Sequence, residues 1–235
     1  AEELSGTELL RKDFVNNFSH EFKTPIVSIN GFADLLLDDD VPPDEQRGYL
    51  EIIRDESKRL AQLSSSVLLL NRVESQTILT DCANFALDEQ LRQSVLVTQQ
   101  KWRDKALDFR AELPTCTYNG SEALLKEVWL NLLDNAAKFS PDNGVIGVTL
   151  RREQERIVVS VTDQGCGMDE ETRSHIFEQF YQGDTSHKTQ GNGLGLAMAK
   201  KIAALHGGEI AVDSHPGAGS CFTVSLPIEA VDRFL

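Results

Sequence analysis

Tyr49, Ile53, Glu56, Leu60, Leu63, Val67 and Leu70 follow one another at alternating steps of four and three residues. That spacing is a heptad seam, with Glu56 as its one polar interruption, and a helix carrying it must cover an apolar stripe along its whole length. Upstream, Phe14, Phe18, Phe22, Ile29, Phe32 and Leu36 share one face of an earlier helix. Between the two, Asp38-Asp39-Asp40-Val41-Pro42-Pro43 ends the first helix and Asp44 is placed to cap the second. The hairpin so formed has more apolar surface than it can cover alone. A second copy solves this, so the pattern predicts a homodimer built as a four-helix bundle.

His20 does not belong to the stripe. At about 100° per residue it lies about 200° from Phe18 and about 160° from Phe22, so it points away from the buried face. Glu21 puts a carboxylate beside it, and Pro25 follows at a distance from which it can loosen the helix.

A chain of 235 residues suits two modest domains, and a hydrophobic fraction of 40% is enough for packed cores. The formal charge of −14 argues against nucleic acid as a partner. It also means that a nucleotide would need local cations, main-chain N–H groups or a metal to offset its phosphates. Cys82, Cys116, Cys166 and Cys221 are scattered without metal-ligand spacing and read as reduced thiols of a cytosolic compartment. No apolar run reaches the length of a membrane span and no signal peptide is visible. The chain opens at Ala1 almost directly into a helix, as a fragment of something longer would.

Past Ser75 the pattern changes. We read residues 1–75 as the hairpin domain, 76–84 as a polar linker and 85–235 as a second domain. Strands are expected at Leu107–Ala111, Val145–Arg152, Arg156–Thr162, Glu209–Ser214 and Ser220–Pro227, and helices at Asp88–Lys105, Ser121–Phe139 and Leu194–His206. Two antiparallel hairpins mixed with helices of this length predict an α/β two-layer sandwich, helices on one face of the sheet.

Short motifs follow in order. Asn131 and Asn135 stand one helical turn apart, with Lys138 in the next turn, and an Asn carbonyl is a hard ligand suited to Mg²⁺. Asp163-Gln164-Gly165-Cys166-Gly167 leaves a strand. A carboxylate there, with glycines that admit close main-chain approach, suits a base amine. Gly191-Asn192-Gly193-Leu194-Gly195-Leu196 opens a helix whose N–H groups can face phosphate. Gly217-Ala218-Gly219 turns between the last two strands. Lys138 and Lys188 are the cations available to phosphates, and residues 183–190 lack apolar anchors.

Jointly these resemble the catalytic core of a sensor histidine kinase of two-component signalling. Ser19 to Pro25 resembles the H box, Asn131 to Lys138 the N box, Asp163 to Gly167 the G1 box, Ile176 to Tyr181 the F box, Gly191 to Leu196 the G2 box, and Gly217 to Thr223 the last glycine motif. The resemblance implies a phosphoacceptor hairpin followed by an ATP-binding sandwich of the Bergerat type. It implies that His20 attacks the γ-phosphate of ATP, Glu21 takes up the proton and Asn135 ligates Mg²⁺. Asp163 then reads adenine, and Gly165, Gly167, Gly191, Gly193, Leu194, Gly195, Lys188 and Thr223 complete the nucleotide site around a lid between Gln182 and Gly191. A response regulator receiver domain is the implied partner, and Thr24 is implied in dephosphorylating it. The fragment is expected in the cytoplasm, with inner-membrane anchoring only through segments outside it. Gln179 and Gln182 stand where basic residues are usual, and Asn192 replaces a common threonine. The alternatives are an ATP hydrolase of the same superfamily, disfavoured because Asn131 stands where a water-activating glutamate belongs, and an ATP-sensing dimeric scaffold.

Overall fold

The computed structural model describes residues 2–37, 41–76, 78–183 and 191–228, with side chains from Phe18 onward. Contacts divide the chain into two compact units, Ala1–Asn71 and Arg72–Leu235. No helix among the described residues is long and apolar enough to cross a membrane. Phe14's side chain, the acidic run 38–40 and Lys188 with most of the expected lid, 184–190, lie outside the described residues.

The first unit holds α1 (Glu2–Leu36) and all but the last turn of α2 (Pro43–Ser75), which run antiparallel. Pro25 sits inside α1 without ending it; its missing N–H removes the usual donor to the Glu21 carbonyl. Register across the hairpin is set by Phe32 against Tyr49, ring centroids 5.3 Å apart, and by Glu21 against Arg59. Along the seam Leu63, Val67 and Leu70 are buried, whereas Tyr49, Ile53, Glu56 and Leu60 are half-buried. Val27, Leu35, Leu50 and Leu68 are exposed.

The second unit holds a five-stranded sheet in the order β2-β4-β5-β7-β6, formed by Asp108–Glu112, Val145–Glu153, Arg156–Thr162, Ser220–Pro227 and Glu209–Ser214 respectively. β2 pairs parallel with β4 and every other pair is antiparallel. Alternation decides the faces: Ile146, Val148, Leu150, Ile157, Val159, Val161, Phe222, Val224 and Leu226 are buried, and their neighbours point the other way. Three helices cover the apolar face: α3 (Leu87–Lys101), α4 (Glu122–Phe139) and α6 (Gly195–Leu205). α4 buries Leu125, Val128, Trp129, Leu132, Leu133 and Ala136 at helical spacing, and Ser121 caps it by accepting from Leu124 N.

Several expectations need correction. α3 ends at Lys101 rather than Lys105, because Trp102–Lys105 tightens into a 3₁₀ turn closed by Ala106 at φ 49°. Two four-residue strands were not foreseen: β1 (Ala83–Ala86), which starts within the stretch read as linker, and β3 (Thr117–Gly120), its antiparallel partner. A six-residue helix, α5 (Glu170–His175), was also missed. None is long enough to show a period.

Candidate functional site

On the hairpin, His20 is exposed and Glu21 half-buried. Arg59 Nη2 reaches across from α2 to Glu21 Oε2 at 3.2 Å. Thr24 donates its hydroxyl to the His20 carbonyl at 3.2 Å, the back-bond that threonine makes inside helices.

In the second unit the site grows from the end of β5, the central strand. Asp163 continues the inward side of that strand and is only 5% exposed. One carboxylate oxygen accepts from Gly165 N at 2.7 Å and Ser220 N at 3.3 Å. Burial raises its pKa, and the two main-chain donors oppose that shift. Three turns close on the carboxylate so tightly that side chains are excluded. A Cβ on Gly165 would stand 2.7 Å from Asp163 Oδ1 and 2.8 Å from the Phe139 carbonyl. One on Gly167, at φ +66°, would strike the His215 carbonyl.

Opposite this cradle, α4 meets the start of α6. Asn131 lies so close to Gly195 that a Cβ there would strike its Oδ1, and Asn131 Nδ2 donates to the Glu127 carbonyl at 2.8 Å. Asn135, one turn further, is half-exposed and its amide makes no hydrogen bond among the described residues. The Lys138 ammonium stands 3.1 Å from where a Cβ on Gly191 would be, and burial lowers its pKa. Gly193, at φ +66°, backs onto Phe180, whose N–H donates to the Gly193 carbonyl at 2.9 Å. Leu194 is buried and its N–H is held by Asn192 Oδ1 at 3.3 Å. Asn131, Lys138, Gly191, Gly193 and Gly195 are thus brought together, and Asp163, Gly165 and Gly167 join them through Phe139 at the end of α4.

Thr223 is not part of this group. It alternates out of step with the buried Phe222 and Val224, so it lies on the outer face of the sheet, 3.2 Å from Ser160 Oγ. Strand parity, legible in the sequence, could have excluded it. Ser220 holds Asp163 through its main chain, and Ser214 ties Met168 N to the Gly219 carbonyl through its hydroxyl, 2.9 Å to each. Neither was foreseen, because both act only once distant turns meet.

Residues 10–76 match the His Kinase A (phospho-acceptor) domain, and residues 120–230 match the histidine kinase-, DNA gyrase B-, and HSP90-like ATPase family. The heme sensor protein HssS of Staphylococcus saprophyticus is 37% identical over 217 residues, 92% of this chain and 46% of that protein. The sensor-like histidine kinase SenX3 of Mycolicibacterium smegmatis is 34% identical over 94% of this chain and 58% of its own length. The chain belongs to the sensor histidine kinases.

It spans about half the length of these curated relatives. Among solved structures, histidine kinase ThkA in complex with the response regulator protein TrrA is 25% identical, with a TM-score of 0.78 over 99% of this chain and 65% of that one. Full-length ShkA in complex with AMPPNP is 26% identical, with a TM-score of 0.68 over 93% of this chain and 47% of that one. The helical hairpin and α/β sandwich are the architecture of this kinase family. Just past the F box, the Gln182 amide donates to the Gly191 carbonyl at 3.1 Å.

Proposed function

We propose that this chain binds ATP with Mg²⁺ in the cleft between α4, the Asp163 cradle and the turn before α6, phosphorylates itself on His20 and passes the phosphoryl group to an aspartate of a response regulator. The observation that carries the reading is the exposed His20 beside Glu21 in the same chain as a buried carboxylate ringed by obligatory glycines. Asp163, held by two N–H groups, keeps an oxygen for the adenine amine. Lys138 and the N–H groups of the Gly191–Gly195 turn face the phosphates, which supply most of what phosphoryl transfer requires: position and charge neutralisation. A magnesium ion needs few protein ligands when phosphate oxygens share its sphere, and the unpartnered amide of Asn135 fits that demand. When bound it would neutralise developing phosphate charge.

In the transfer itself, His20 Nε2 forms a bond to the γ-phosphorus as the bond from that phosphorus to the bridging oxygen breaks. ADP leaves, and Glu21 accepts the proton from the imidazole. Asn131, with no carboxylate, cannot activate water in the manner of a hydrolase. Two copies assemble through the exposed apolar positions of the hairpin. Dephosphorylation of the regulator by Thr24 would require its hydroxyl to leave the His20 carbonyl. Incubation with γ-labelled ATP tests the reading: acid-labile label on the parent and none on His20→Gln is expected, whereas free phosphate without protein-bound label would overturn it.

A further inference from the structure

Lys105 bonds none of the side chains assigned to the nucleotide, yet it holds the turn that displays one of them, Lys138, and that backs the cradle of another, Asp163. Its ammonium donates to the carbonyls of Ala137 at 3.1 Å, Lys138 at 2.7 Å and Ser140 at 2.8 Å. An ammonium has three donors, so all three are engaged at the end of α4, where carbonyls lack helical partners and the helix dipole favours a cation. The lysine is itself fixed. Its N–H donates to the Trp102 carbonyl at 3.0 Å, its carbonyl accepts from Asn143 N at 2.8 Å, and its ammonium lies 5.3 Å from the centre of the Trp102 ring. Trp102 Nε1 in turn donates to Asp134 Oδ1 at 2.7 Å, one turn back along α4.

Two branches leave the turn that Lys105 grips. Lys138 projects its ammonium to Gly191, on the phosphate side. Phe139 presses its carbonyl against Gly165, whose N–H fixes the Asp163 carboxylate on the base side. We propose that Lys105 is a positioning residue for nucleotide binding, setting Lys138 and the Asp163 cradle at their mutual distance by clamping the last turn of α4. The proposal rests on the nucleotide reading above and adds to it a residue outside the site.

Mere helix capping would affect stability alone, so the test compares two ends of α4. Affinity for Mg²⁺-ATP is measured by calorimetry on the 235-residue chain, well below each variant's Tm, for the parent, Lys105→Met, Lys105→Arg and Ser121→Ala. Ser121 caps the opposite end of α4. Lys105→Met should bind about tenfold more weakly, the loss typical when an outer group that orients a ligand-binding side chain is removed. Lys105→Arg, which keeps charge and donors, should recover most of that loss. Ser121→Ala should lower Tm and leave affinity within about twofold of the parent. The proposal falls if Lys105→Met binds like the parent, or if Ser121→Ala loses affinity in proportion to its lost stability. Should Lys105→Met not fold, Lys105→Gln decides, since it shortens the reach and leaves only two uncharged donors: binding several-fold weaker than the parent supports the clamp, and parental affinity overturns it. A parent that binds no ATP removes the nucleotide reading and this proposal together, while parental binding with unaffected variants removes only the clamp.

Discussion

His206 Nε2 accepts the backbone N–H of Ser121 at 3.1 Å, joining the end of α6 to the start of α4. Its Nδ1 stands 2.8 Å from the Ile202 carbonyl, so a neutral ring with its hydrogen on Nδ1 satisfies both neighbours. Burial lowers the pKa from 6.5, and the folded chain therefore refuses a proton that the unfolded chain accepts. The stability this joint contributes is present in full above pH 6.5 and is lost as pH falls from there through the folded pKa. Tm should drop between about pH 7.5 and 5.5, and drop less in His206→Gln. Asp163, whose pKa is raised, acts in the opposite sense, so the difference between the two chains isolates the histidine. Equal slopes would contradict the assignment.

Asp163→Asn keeps an oxygen for Gly165 N and Ser220 N but replaces the charge that would face the adenine amine. ATP affinity should fall by about 1–3 kcal/mol with little change in Tm. Calorimetric titration checks it; a large loss of Tm with unchanged affinity would make Asp163 purely structural.

Asn135→Ala should erase the difference between ATP affinities measured with Mg²⁺ and with a chelator. Affinity in chelator should stay near the parent's. If the metal effect survives intact, the cation is held elsewhere.

Dimer disruption calls for residues that the single chain leaves exposed. Leu63 and Leu70 are each 2% exposed in one copy, so charging them would unfold the hairpin. Leu68, at 68%, and Leu50, at 57%, are the better probes. Leu50→Glu with Leu68→Glu should sediment as a monomer at micromolar concentration and keep its helical signal. A monomeric parent would refute the bundle.

Thr24→Ala removes only the bond to the His20 carbonyl within the described structure. His20 labelling should stay near the parent's rate while dephosphorylation of a regulator slows. Equal losses in both assays would leave the hydroxyl a structural role alone.

What the residues disclosed in advance follows the range of each interaction. The hairpin, β4 with β5 and β6 with β7 announce themselves by local period and nearby turns, and α4 by its apolar spacing behind Ser121. β1 and β3 pair residues such as Asn84 and Asn119, 35 positions apart, in segments too short to have a period. The glycine motifs marked turns that the fold does bring together, but not that Ser220 N would complete the carboxylate's shell. Thr223 was misassigned because motif order outweighed strand alternation. Lys105, read as the last residue of a helix, acquired its grip on α4 only because that helix stops at Lys101.

Asp163 depends on a strand made much later. Ser220, 57 positions downstream, both donates to its carboxylate and accepts its N–H, at 3.3 and 2.9 Å. β5 therefore waits for β7, and such distant pairings form slowly. During synthesis a chain that has emerged only through β6 already carries α4, the Asp163 turn and α6, yet lacks the strand whose first residue secures the carboxylate. Proteolysis ahead of Ser220 would leave the same unfinished pocket. The nucleotide site proposed above is thus finished only once Ser220 has joined the end of β5.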